Sequence, residues 1–128
     1  MCACQYSPVD MLMYYNARPN EFWNGMFDDT VIGRVLKGYY PFPMFNLLYR
    51  LGTCVEITDA ENGAYGCAAR NEDEAAILLT HFEDADDAAP KKFTVDIANF
   101  GSDNGTELEI YLLDFPNFTT YLIRMKKR

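Results

Sequence analysis

The chain has 128 residues, 49% of them hydrophobic and 15% aromatic, with a formal net charge of −8. That is enough apolar material for a folded domain with a real core, and it excludes a disordered chain. The acidic balance argues against nucleic acid and anionic membranes as partners: both need clustered Lys and Arg, and the one basic cluster is Arg124, Lys126, Lys127 and Arg128.

No apolar run approaches the roughly 20 residues that span a bilayer. The opening Met-Cys-Ala-Cys-Gln-Tyr-Ser-Pro has neither a basic n-region nor an apolar h-region. A cytoplasmic protein is therefore expected. Residues 11–15 form a short apolar run with the length of a buried strand. The chain then turns polar at Asn16, Arg18 and Asn20, with Pro19 fixing one dihedral, and places its single tryptophan, Trp23, beside Asn24 and Gly25. A strand ending in aromatic, amide and guanidinium groups suits a carbohydrate or another small polar ligand. A core strand followed by an ordinary surface loop gives the same pattern.

Further on, Met44, Leu47, Leu48 and Leu51 recur at helical spacing and Phe45 widens the stripe. Pro41 and Pro43 fit a first turn, and Gly52 suits the position just past the end. This helix must bury one broad face, either on the rest of the chain or on a second copy.

From Thr53 the pattern has period two. Residues 54–58 and 64–70 flank Asn62-Gly63 and predict a hairpin. Residues 74–82 are apolar on both faces and predict a central strand. Residues 93–97, 107–112 and 120–125 alternate and predict strands with one buried face. The expected fold is mainly β: an antiparallel β-sandwich over 53–128 with one N-terminal strand–loop–helix unit, 1–52, packed on it.

Motifs for chemistry are scarce. Cys2 and Cys4 are too close for a zinc knuckle and no second pair follows, so no metal or other cofactor is expected. Reduced thiols are expected in a cytosolic protein, in preference to a Cys54–Cys67 bridge across the hairpin. The acidic stretch 83–87 lacks the calcium-loop pattern and is better read as a solvated turn than as an ion site. His81, the only histidine, has no nucleophile motif to serve and is expected to be a hydrogen-bonded sheet residue. Paired-carboxylate hydrolysis needs two rigidly held carboxyl groups facing one cleft, and Glu21 in the aromatic loop has no partner in sequence.

A resemblance completes the reading. Val9-Asp-Met-Leu-Met-Tyr-Tyr-Asn-Ala-Arg-Pro, Trp23-Asn-Gly-Met-Phe-Asp, Leu36-Lys-Gly-Tyr-Tyr-Pro-Phe and Met44-Phe-Asn-Leu-Leu-Tyr-Arg-Leu-Gly resemble the C-terminal end of clan A glycoside hydrolases, nearest the family 39-like, β-xylosidase-related group. There the last barrel strand, a long loop and the last barrel helix are followed by an accessory β-sandwich, and Ala64-Tyr-Gly-Cys-Ala-Ala-Arg resembles the start of that sandwich. The resemblance implies that Tyr15, Asn16, Arg18, Trp23 and Asn24 border a sugar cleft. It also implies that both catalytic glutamates belong to barrel strands this chain lacks. Asn20-Glu21 is followed by Phe22 and lies after the wrong strand for the acid/base role. The expectation is an accessory region that is non-catalytic alone, with carbohydrate or a separate catalytic barrel as partner, or a homodimer through the helix face. A stand-alone carbohydrate-binding or protein-interaction sandwich is the alternative.

Overall fold

The computed structural model describes residues 1–14, 25–58, 63–85, 92–101, 105–114 and 118–128. From Thr53 onward the period-two segments become strands: β1 (Thr53–Val55), β2 (Ala64–Arg70), β3 (Glu74–Phe82), β4 (Thr106–Asp114) and β5 (Phe118–Lys127). They form one antiparallel sheet in the order β1-β2-β3-β5-β4. β3 therefore lies in the middle, as its two-sided apolar pattern predicts, with Ala75, Ala76, Ile77 and Leu78 all buried.

The β2–β3 turn is built by Asn71. Its side-chain oxygen accepts from the backbone N–H of Asp73 at 2.9 Å and of Glu74 at 2.7 Å, an Asx turn that sets the register Arg70↔Ala75. At the opposite end, Gly63 has φ +77° and its carbonyl accepts from the Phe82 N–H at 2.9 Å. A Cβ there would stand 3.0 Å from the Phe82 carbonyl oxygen, so both the dihedral and the space favour glycine.

Period two gives the sheet two distinct faces. Cys67, Leu78, Leu122 and Tyr111 share a row on one face; Ala68, Ile77, Ile123 and Ile110 share a row on the other. The first face is covered by α2 (Pro41–Leu51). Pro41 opens this helix, where its missing N–H costs nothing, and Gly52 ends it at φ +89°. Leu48 and Leu51 pack with Cys67, Ala69, Ala76, Leu78 and Leu122 in one cluster. The short helix α1 (Cys2–Gln5) adds Cys2 to the same cluster. Of the two outcomes expected for the helix stripe, the chain adopts the intramolecular one.

The second face is covered by residues 92–101. Because β3 and β4 are both antiparallel to β5, they are parallel to each other and their connection must travel back along the sheet. Val95 and Phe100 of that connection pack on Ala68, Ala75, Ile77 and Met125. The architecture is thus mainly β and antiparallel with the N-terminal helix packed on it, the one sheet lying between α2 and the crossover.

Two predicted strands differ. Residues 93–97 join no strand; Phe93 and Val95 alternate inward because the segment lies across the sheet face, not along its edge. Residues 11–14 are not a strand either, and Met11 and Met13 are 74% and 82% exposed. An apolar run becomes a buried strand only where neighbouring strands complete its hydrogen bonds, and this one has none beside it among the described residues. β1 is also shorter than expected, pairing only over Thr53, Cys54 and Val55. Its register places Cys54 opposite Ala69, not Cys67. All four cysteines are free, with Cys54 exposed.

Candidate functional site

The residues that precede α2 are ordered by one aspartate. The Asp28 carboxylate is buried; it accepts from the Thr30 N–H at 2.7 Å, the Thr30 hydroxyl at 2.6 Å and the Val31 N–H at 2.8 Å, and pairs with Arg34. This clamp folds residues 28–34 into a turn closed by the antiparallel bridge Phe27↔Val35. The Asp28-x-Thr30 spacing is the sequence signal that could have found it. Gly38 N–H then donates to the Gly25 carbonyl at 3.0 Å, which ties the chain back to the start of the helical unit.

Between this unit, α1 and the sheet lies an open, mainly apolar groove of about 700 Å³. Its walls include Cys2, Leu12, Tyr14, Phe42, Leu78 and Thr120. Tyr14 meets Phe42 edge-on, ring centroids 5.1 Å apart. At its floor the Thr80 and Thr120 hydroxyls are 3.1 Å apart, satisfying each other on an otherwise apolar surface. Lys37 crosses from the helical unit to the sheet and donates to the Asp114 carbonyl at 2.6 Å.

The five sequence candidates, Tyr15, Asn16, Arg18, Trp23 and Asn24, and with them Glu21, lie outside the described residues. The two residues that flank that segment, Tyr14 and Gly25, both line the groove.

Set against known protein families, curated proteins and solved structures, the chain matches none.

The remaining chemistry is confined to small clusters. Arg124 bridges Glu74 at 2.8 Å and Glu109 at 3.1 Å across three strands, and Lys126 approaches Glu74 at 3.6 Å. The hydrogen bond to Glu74 holds the guanidinium pKa above its usual value. These two carboxylates are held by one cation on the sheet. His81 lies 3.9 Å from Glu83 and edge-on to Phe93 at 5.9 Å, a sheet residue at the mouth of the crossover. Among the described residues no three His, Cys, Asp or Glu side chains are grouped to hold a metal ion. The acidic turn is described only for Glu83, Asp84 and Ala85, with Asp86 and Asp87 outside the described residues. Among the described residues no helix is long and apolar enough to cross a membrane.

Two features escaped the sequence. Leu108, Ile110 and Leu112 of the edge strand β4 are 57–58% exposed on the crossover face, because residues 92–101 cover the sheet only as far as β5. Their alternation with Glu107, Glu109 and Tyr111 reads as one buried face. The second feature is Cys2, whose sulfur lies 4.0 Å from the Leu78 carbonyl oxygen, directly across the ladder from Cys67. Their contact lowers the Cys2 thiol pKa and, together with burial, raises that of Cys67. In sequence, Cys2 near one end of the chain gave no hint of a partner 65 positions away.

Proposed function

We propose that this chain is a non-catalytic β module, the accessory region of a glycoside hydrolase-like protein, which borders a sugar cleft that another protein segment completes. One observation carries this reading. The apolar residues Met11, Leu12 and Met13, in the stretch that resembles the last strand of a hydrolase barrel, are exposed and belong to no strand, while the helix that follows them is docked. A strand-like run that finds no strand beside it is suited to pairing elsewhere. The groove lined by Tyr14 and Gly25, the described residues on either side of Trp23 in sequence, would then form one wall of the cleft.

The test is complementation. A family 39-like barrel truncated after its seventh strand is refolded with and without this chain, and aryl β-xyloside hydrolysis is measured. The reading expects activity that depends on the chain and is lost with Met11→Glu/Met13→Glu. Failure of the chain to associate with any such barrel overturns it.

A second reading, a stand-alone interaction module, draws on β4. A nine-residue edge strand with three exposed aliphatic side chains is a ready surface for a protein partner. Ile110→Lys distinguishes the two, since it disables the β4 surface and leaves residues 11–14 untouched. If sugar is the ligand instead, titration with xylo-oligosaccharides alters the fluorescence of the single tryptophan, Trp23. An unchanged signal up to millimolar sugar rejects that option.

A further inference from the structure

Cys2 and Cys67 are both buried. Cys2 is presented by α1 and Cys67 by β2, and both lie in the cluster beneath α2. Cys2 Sγ lies 4.0 Å from the Leu78 carbonyl oxygen, and Leu78 is paired with Cys67 in the β2–β3 ladder. The two thiols therefore lie in one buried cluster, on the α2 side of the same cross-strand pair. Both are buried to the same degree, and Cys2 is the one that lines the open groove. The remaining cysteines, Cys4 and Cys54, are half-buried and exposed.

We infer that Cys2 and Cys67 form a reactive dithiol, in which Cys2 attacks a small-molecule disulfide that enters the groove and Cys67 resolves the adduct to a Cys2–Cys67 disulfide. In the first step the Cys2 thiolate attacks one sulfur of a disulfide such as oxidised glutathione. The S–S bond breaks, and one glutathione thiolate leaves and takes up the proton that Cys2 gave up. In the second step Cys67 loses its proton, attacks Cys2 Sγ and expels the second glutathione as a thiol. Two protein thiols are oxidised, and one small disulfide is reduced to two thiols.

The electrostatics match this division of labour. The Cys67 thiol donates toward the Cys2 sulfur, which favours the Cys2 thiolate, while Cys67 itself keeps its proton. A thiol with a lowered pKa at a groove, with a protonated thiol behind it, is the arrangement of an attacking and a resolving cysteine. The bond would fasten α1 to β2, so that oxidation ties residues 1–5 to the sheet.

The experiment uses a Cys4→Ala/Cys54→Ala chain, which retains only this pair and alters no core residue. It is incubated with oxidised glutathione, quenched in acid, unfolded and titrated for free thiols, with the intact mass recorded. The expected result is loss of both thiols together, a mass lower by two hydrogens and no retained glutathione. Cys67→Ala in the same background is expected to trap glutathione on Cys2, and Cys2→Ala to leave Cys67 unmodified in the folded chain. Two overturning results are possible: thiols that both persist after prolonged oxidation of the folded chain, or Cys67 modified without Cys2. Circular dichroism of each variant establishes that the fold under test is intact.

Discussion

Replacing Leu48 by alanine tests the docking of α2 on the sheet most sharply. Leu48 is 5% exposed and packs on Leu78, Leu122 and Ala76. The substitution removes three carbons, and at about 0.8 kcal/mol each the lost burial amounts to about 2.4 kcal/mol. The cavity left between a helix and a rigid sheet adds to this, so a total of about 3 kcal/mol is expected, inside the usual range for such sites. Tyr49, the next residue, is 80% exposed, and Tyr49→Ala should change stability by no more than about 0.5 kcal/mol. Urea unfolding followed by circular dichroism measures both. With an unchanged slope of about 1–3 kcal/mol per M, Leu48→Ala should lower the midpoint by about 1–3 M. The measurement is made at two protein concentrations. A Leu48→Ala shift no larger than that of Tyr49→Ala would refute the packing described. A shift that depends on concentration would place α2 against another chain instead.

Three further outcomes follow. Gly52→Ala forces a side chain into φ +89° with open space around it, so the loss is conformational, about 1 kcal/mol or somewhat more, read from the same urea curves. Stability should fall as pH rises beyond about 8.5, where the unfolded chain gives up the Cys67 proton that the folded chain retains, by up to about 1.4 kcal/mol per pH unit. Cys2 acts in the opposite sense, since its lowered folded pKa contributes stability above the unfolded value that is lost as pH falls. Melts at about pH 8.5 and about pH 9.5 should therefore show a decline that Cys67→Ala removes. Ile110→Lys and Met13→Glu, both at exposed positions, should leave the urea midpoint within about 0.5 kcal/mol of the parent. A larger loss from either would mean that its side chain is buried.

Much of the fold was legible because two local signals agreed with the global arrangement. The 3.6 spacing from Met44 to Leu51, bracketed by Pro41 and Gly52, gave α2 within its boundaries. The two-sided apolar run at 74–82 gave the central strand. Residues 93–97 show the limit of such patterns. Alternation records which side chains turn inward, and a crossover lying on a sheet face turns them inward as a strand does. Residues 11–14 show another limit, since a strand needs hydrogen-bonding neighbours as well as apolar side chains. Of the candidate site, the aromatic loop residues fall outside the described chain, and only the groove at the loop's two ends can be tied to them. The Cys2–Cys67 contact was illegible because it depends on α1 folding over the sheet, a long-range event with no local periodicity.

The central claim is that this chain does no glycosidic chemistry of its own. The most direct test is release of nitrophenol from aryl β-xylosides and α-arabinosides by the purified 128-residue chain, beside its Glu21→Gln variant. The expected result is release indistinguishable from buffer for both proteins. Saturable turnover by the parent chain that disappears in Glu21→Gln would contradict the account.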